Sequence, residues 1–311
     1  MFLVCGEALW DLFAAEGPGG LSFDARIGGS PFNVAMGLAR LGERVGLLTG
    51  LSTDPLGRRL YAALAREGVA ADYLLERAEP TTLSLVDLSA DGVPAYAFYG
   101  EGAADRALTE ADLPTLGPEV WGLHVGSYSL VVEPVGESLL HLAASQGAGR
   151  LVTLDPNVRP TVEPDLGLWR HRVAAFVQHA DLVKVSAEDL ALLAPGCAPE
   201  EVAADWLSAG PTLVVVTDGE AGATAYGGAG TVAAPAERVK VVDTVGAGDA
   251  FMAALIAGLA RAKLTDRAAL SSGAAALPAL LAAASTAAAL TCTRRGADLP
   301  RRGEVPGLDA L

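Results

Sequence analysis

The run Val241-Val242-Asp243-Thr244-Val245-Gly246-Ala247-Gly248-Asp249-Ala250-Phe251 constrains this chain more than any other stretch. Val239, Val241 and Val242 read as a strand, and Asp249 to Ile256 as an apolar helix, with a turn of small residues between. Gly246 and Gly248 flank Ala247, so consecutive peptide N–H groups have almost no side-chain cover. They stand where a helix begins, with its unpaired donors and positive dipole end. Main-chain donors placed this way form an anion site. A carboxylate, Asp249, lies in the same turn. That pairing makes sense if the anion is a phosphoryl group in transit and the carboxylate takes a proton from the attacking hydroxyl. The alternative is a plain tight turn with Asp249 as a helix cap. No Lys-Ser/Thr pair follows the glycines and no G-x-G-x-x-G follows the first strand, so two common phosphate loops are excluded.

The rest of the chain supplies a scaffold for such a site. Phe2-Leu3-Val4-Cys5, Val45 to Thr49, Leu123-His124-Val125, Leu151 to Leu154, Leu182 to Val185 and Leu213 to Val216 are short apolar runs. Helical patterns fill the gaps: Asp54 to Glu67 closed by Gly68, then Gly136 to Ala144, Leu166 to His179, Ala187 to Leu193 and Pro199 to Ala209. Continuous apolar strands alternating with helices predict a mostly parallel sheet covered on both faces, with sites at the strands' carboxyl ends. Two pieces break this rhythm. Residues 11–27 alternate around a Gly-Pro-Gly-Gly turn, and Thr82 to Leu88 and Ala95 to Tyr99 form a hairpin about Asp91-Gly92. Both are expected outside the main sheet. Ser30 reads as the cap, and Pro31 as the first turn, of a helix running to Gly42.

With 51% hydrophobic residues in 311, a large core is affordable, and a net charge of −15 argues against a nucleic-acid partner. Any phosphate must then be held locally. Three scattered cysteines, Cys5, Cys197 and Cys292, suit a reducing cytoplasm rather than a disulfide framework. The N-terminus lacks a basic region and is interrupted by Glu7 and Asp11, so no signal peptide is expected. Ala268 to Thr293 carries no charge, but it is alanine-rich and divided by Pro278, which favours two buried helices over a membrane span.

The turn at 243–249 resembles the C-terminal signature D-T-x-G-A-G-D of the PfkB sugar kinases, the ribokinase-like family. The resemblance implies that Asp249 is the general base and that the Gly246, Ala247 and Gly248 amides form the anion hole. Gly28-Gly29-Ser30-Pro31-Phe32-Asn33-Val34-Ala35 resembles the family's N-terminal G-G-x-x-x-N-x-A, which implies that Gly28, Gly29 and Asn33, together with Asp11, bind sugar hydroxyls. Asp155-Pro156-Asn157-Val158-Arg159 is similar to a D-x-N-x-R run of fructokinases and ketodeoxygluconate kinases. Arg159 is expected on the sugar or a phosphoryl oxygen, or in an ion pair with Asp155. Lys184 and Ser186 stand in the place of the family's N-x-x-E motif, and departures there leave open whether Glu188 or Asp189 orders the metal's waters. Thr217, Gly219 and Gly222 resemble the nucleotide-binding turn.

Together these imply a ribokinase-like three-layer α/β/α sandwich, one domain over 1–311 with a small β lid from about 11–27 and 81–100. The implied activity is ATP-dependent phosphorylation of a primary sugar hydroxyl, with Mg2+ and room for K+, and with a homodimer formed through the lid. Phe98 is a candidate to pack on a sugar face or within the lid. Residues 99–106 are similar to the F-Y-x-E-x-x-A-D run of bacterial fructokinases. The 2-keto-3-deoxygluconate kinases carry an Arg in this loop, where Gly100-Glu101 stand here, so a neutral sugar, fructose, is favoured over 2-keto-3-deoxygluconate or ribose. A sugar- or nucleotide-binding protein without turnover is the alternative of a different class. The intact Asp249 speaks against it, since a binder needs no base.

Overall fold

A computed structural model describes residues 1–17, 20–88, 94–146, 149–228 and 230–311. Thirteen strands are present among them: β1 (Phe2–Cys5), β2 (Leu9–Gly17), β3 (Gly20–Gly28), β4 (Val45–Ser52), β5 (Leu74–Arg77), β6 (Thr82–Leu88), β7 (Pro94–Tyr99), β8 (Gly122–Gly126), β9 (Leu151–Asp155), β10 (Leu182–Ser186), β11 (Leu213–Asp218), β12 (Gly222–Gly227) and β13 (Gly230–Ala234). The helices are α1 (Ser30–Arg40), α2 (Pro55–Glu67), α3 (Val135–Ser145), α4 (Leu166–Val177), α5 (Ala187–Leu193), α6 (Pro199–Ala209), α7 (Ala247–Arg261), α8 (Arg267–Ser272) and α9 (Leu277–Cys292).

Nine strands form one sheet in the order β13-β12-β11-β10-β9-β8-β1-β4-β5. All its neighbours are parallel except at the β11-β12-β13 end. Alternate residues of each strand feed opposite cores, as the pleat requires. Phe2 and Val4 join the layer of α1, α2, α7 and α9, whereas Leu3 and Cys5 join that of α3 to α6. The expected three-layer sandwich is therefore what the chain builds. A second sheet, β3-β2-β6-β7, stands apart as the lid. The Asp91-Gly92 turn lies outside the described residues.

Local signals account for several boundaries. Asp54 caps α2 through the Gly57 N–H (2.7 Å), and Gly68 closes it in the left-handed region at φ 80°. Pro278 sits in the first turn of α9, after a break from α8. The helical stretch Ala274–Cys292 is long and apolar enough to cross a membrane by composition alone. It packs along α7, with Leu280, Leu281, Ala284 and Ala287 fully buried.

One expected strand does not form. Residues 235–243 are irregular, and Val241 and Val242 are 53% and 59% exposed. Pro235 follows β13 directly and has no N–H for a ladder. The segment instead runs beside the end of α9, where the Val242 N–H reaches the Cys292 carbonyl (2.8 Å). Conversely β5, β12 and β13 form without a strong apolar pattern: β5 and β13 are the two edges of the sheet, and β12 is held between β13 and β11 with Gly222, Ala223 and Ala225 buried.

Candidate active site

Two helices point their N-termini at the carboxyl ends of the central strands. α7 begins after Gly246, held at φ 79°. A side chain there would be strained by that φ and would also meet the Ala297 Cβ at 2.7 Å. Asp243, at the head of the turn, accepts from the Val245 and Gly296 amides (3.1 and 2.8 Å) and ties the turn to the loop at 296. The Ala247 N–H already reaches the Thr244 carbonyl (3.2 Å). The Ala247 amide, expected in an anion hole, is thus already paired. Among the described residues, the amides of Gly246, Gly248 and Asp249 have no acceptor, nor does that of Thr244 earlier in the turn.

Asp249 is 7% exposed, at the floor beside the exposed Gly248. The Ser30 hydroxyl donates to its Oδ1 (2.6 Å) and the Asn33 amide to its Oδ2 (2.8 Å). Burial raises its pKa above the ordinary aspartate value, opposed by the Ser30 and Asn33 hydrogen bonds; Asp155 adds to the rise and Lys184 opposes it. A carboxylate in this state is a stronger base than a free one. Ser30 therefore differs from expectation: the cap of α1 is Gly29 at φ 101°, and the Ser30 side chain serves Asp249 instead. Asn33, expected on sugar hydroxyls, commits its amide nitrogen to the same carboxylate.

Lys184, on β10, is the buried cation of the site. Its Nζ lies 2.9 Å from Asp155 Oδ2 and 3.0 Å from where a Cβ on Gly248 would be. Burial works to lower its pKa, but Asp155, with Asp189 and Asp249 further off, more than offsets this and holds it above the ordinary value. Asp155 thus pairs with Lys184 and not with Arg159. The Arg159 Nη1 donates to the Val158 carbonyl (3.0 Å), and its charge acts on Asp11.

Asp155, Ser186 and Thr217 end or nearly end the adjacent strands β9, β10 and β11. Ser186 caps α5 by accepting the Asp189 N–H (3.0 Å), and Asp189 accepts the Val158 N–H (2.9 Å). Glu188 is exposed beside them. Gly219 is exposed, while Gly222 has φ 97° and lies where a Cβ would meet the Ala234 carbonyl at 2.2 Å. Among the described residues no group of three or more His, Cys, Asp or Glu is placed to hold a metal.

The lid covers this floor. Arg26, Asp11, Ser84 and Phe98 stand opposite one another across its four strands, so their side chains share a face. At one end Arg26 donates to the Arg295 carbonyl (3.1 Å), next to the loop that borders Gly246. At the other, Phe98 meets Tyr128 edge-on (5.4 Å). Asp11 Oδ2 fills the space above Gly28, 2.2 Å from where a Cβ would be, so a side chain there would displace the Asp11 carboxylate. Gly29 is likewise closed to a side chain by the Glu7 carbonyl (2.7 Å). Burial raises the Asp11 pKa, against the Ser84 hydrogen bond and the Arg159 charge.

Sequence reasoning missed Arg106. Its guanidinium lies 5.1 Å from the Phe98 centroid and 5.0 Å from that of Tyr128. Nη2 sits 2.5 Å from where a Gly100 Cβ would be. Nε and Nη2 are buried without an acceptor among the described residues. An arginine thus does occupy this loop's interior, entering from position 106 into the space Gly100 leaves, while Glu101 is exposed.

A protein-family model described as "pfkB family carbohydrate kinase" matches residues 4–302. A curated relative, fructokinase of Rhizobium leguminosarum bv. trifolii, is 40% identical over 260 residues, 83% of this chain and 79% of that protein. Among solved structures, the fructokinase of Xylella fastidiosa with bound ATP superposes with a TM-score of 0.91 at 29% identity, covering 99% and 98% of the two chains. The fructokinase of Vibrio cholerae O395, in its fructose, ADP and calcium ion bound form, gives a TM-score of 0.83 at 30% identity, covering 99% of each chain.

Proposed function

The chain belongs to the pfkB family of carbohydrate kinases, and we propose that it transfers a phosphoryl group from ATP to the primary hydroxyl of D-fructose, giving fructose 6-phosphate. The observation that carries this reading is the placement of a buried, doubly hydrogen-bonded Asp249 beside three unpaired amides and the Lys184 ammonium. Asp249 takes the hydroxyl proton. The amides of Gly246, Gly248 and Asp249, with Lys184, hold the charge that develops on the transferred group. Asp11 and Arg159 orient the sugar against Gly28 and Gly29, and the lid excludes water so that ATP is not hydrolysed. Thr217, Gly219 and Gly222 flank the nucleotide. The ATP and the fructose with ADP held by the two structural neighbours support this choice of substrates.

The donor set here fits an ion that arrives with the nucleotide: Glu188 and Asp189 are too few to cage Mg2+, which keeps most of its waters when carried on phosphates. Its chemistry when bound is neutralisation of the phosphate charge, and Glu188 and Asp189 would hold it through water. Activation by K+ is tested by exchanging K+ for Na+ salts.

The lid also supports a homodimer. Leu21, Phe23 and Tyr99 are 65%, 45% and 61% exposed on it, an unusual density of large apolar side chains for a small sheet. Phe23→Lys with Leu21→Lys should halve the mass in light scattering; an unchanged mass would place the contact elsewhere. The unpaired cysteines fit a cytoplasmic setting.

A second reading, phosphorylation of the acid sugar 2-keto-3-deoxygluconate, is favoured by Arg106, whose buried donors suit a carboxylate. An assay of ADP release against fructose, 2-keto-3-deoxygluconate and ribose separates the two. Fructose should give the highest kcat/KM. Preference for the acid would replace the first reading with the second, and sugar binding without ADP would leave a binding protein.

A further inference from the structure

Glu7 lies one glycine beyond the end of β1 and is 1% exposed, yet no step assigned so far uses it. Its Oε1 accepts the N–H of Ser30 (3.3 Å), and its Oε2 accepts the Ser129 hydroxyl (2.5 Å). Ser30 is the first residue of α1, so its amide is one that the helix itself leaves unpaired. A carboxylate at that point also meets the positive end of the helix dipole. The same Ser30 then turns its hydroxyl to Asp249, at 2.6 Å. One residue thus receives a hold from β1 through its main chain and passes it to α7 through its side chain. The backbone is interlocked as well, because the Glu7 carbonyl closes the space beside Gly29.

We propose that Glu7 is a positioning residue of the phosphoryl transfer: its charged carboxylate fixes Ser30, and through Ser30 the orientation of Asp249, and protonation of Glu7 loosens that hold. The proposal rests on the reading of Asp249 as the base. A merely structural cap would not need a charge, since burying a carboxylate costs several kcal/mol and a neutral acceptor meets the same amide. No cation faces Glu7 among the groups that act on it. Asp105 does so from the segment before β8, Ser127, Tyr128 and Ser129 from the segment after it, and Ser30 from α1. Burial therefore pushes the Glu7 carboxyl up to about 7, against the Ser129 and Ser127 hydrogen bonds, with Asp105 adding to the rise. Both its forms are populated near neutrality. A charged acceptor grips an N–H more strongly than a neutral one. Glu7 itself exchanges its proton with solvent and takes none from the sugar.

The experiment is the pH dependence of kcat between pH 5.5 and 9 for wild type, Glu7→Gln, Ser129→Ala and Asp249→Asn, with KM for sugar and ATP. Wild-type kcat should rise about tenfold from pH 6 to pH 8 as Glu7 ionises. Glu7→Gln should lose that limb and fall about tenfold at pH 8, with both KM values within about twofold, the signature of misorientation. Ser129→Ala removes a donor that favours the charged form, so its limb should move to higher pH. A Glu7→Gln profile that superimposes on wild type, or a loss confined to KM, overturns the proposal. Should Glu7→Gln fail to fold, an unmoved limb in Ser129→Ala does the same. Turnover retained in Asp249→Asn would instead remove the base assignment on which the proposal stands.

Discussion

The Ser30 hydroxyl lies 2.6 Å from Oδ1 of Asp249 across 219 residues of chain, and it is the shorter of the two hydrogen bonds that orient this carboxylate. The pair joins the first turns of α1 and α7, so the acid and the glycine-pair helix share one corner.

Asp249→Asn should keep the fold and nucleotide binding but lower kcat by roughly 10² to 10⁴-fold, the usual contribution of a positioned base. Steady-state turnover beside a nucleotide titration checks both halves. Near-normal turnover would remove Asp249 from the mechanism.

Gly248→Ala should separate stability from activity. Gly248 lies in the first turn of α7, and its φ is not among the positive ones, so alanine should be neutral or stabilise by up to about 1 kcal/mol. Its Cβ would stand 3.0 Å from Lys184 Nζ, within the space proposed for phosphoryl oxygens. We expect an unchanged or higher Tm with kcat reduced at least about tenfold. A fall in Tm with normal kcat would contradict the placement of Lys184.

Stability should move with pH opposite to activity at Glu7. Its folded pKa, about 7, lies above the ordinary carboxyl value of 4.5, so the neutral form is favoured by folding. The contribution is complete below pH 4.5 and is lost as pH rises through about 7. Glu7→Gln should therefore gain on wild type by roughly 3 kcal/mol between pH 4.5 and pH 8. Urea melts of the two proteins across that range test this. A constant difference would mean that Glu7 is not buried as a charge.

Arg106→Met should discriminate between sugars. The substitution keeps a long apolar stem against Phe98 and Tyr128 but removes the buried donors. If those donors face substrate carboxylates, kcat/KM for 2-keto-3-deoxygluconate should drop at least about tenfold more than for fructose. Equal losses on both would make Arg106 a brace for the lid alone.

Much of the scaffold was legible because its signals are local. Asp54 and Gly68 bound α2, Pro278 opens α9, and the apolar strand runs gave the parallel sheet with few errors. The turn at 246–249 was legible for the same reason, since glycine, alanine, glycine and aspartate are adjacent in the chain. Val241 and Val242 misled because apolar composition cannot reveal that Pro235 has already ended the last edge strand. Ser30, Glu7 and Arg106 were opaque for a different reason. Ser30 is a good cap by type, and only its approach to Asp249 shows the hydroxyl diverted. Arg106 fills a space defined by the side chain Gly100 lacks, a relationship that no periodicity encodes. The one available hint for Glu7 was an acid placed one glycine beyond the buried strand Phe2–Cys5, where charge is expensive without a purpose.

The union of α1 with α7 also has a temporal meaning. During synthesis the glycine pair and its helix emerge early, whereas the helix that carries Asp249, the proposed proton acceptor, is made more than two hundred residues later. Until α7 docks, a nascent polypeptide holds half of a reaction centre and cannot waste nucleotide. ADP production during refolding requires the contact between α1 and α7, and it should lag behind the recovery of helical circular dichroism.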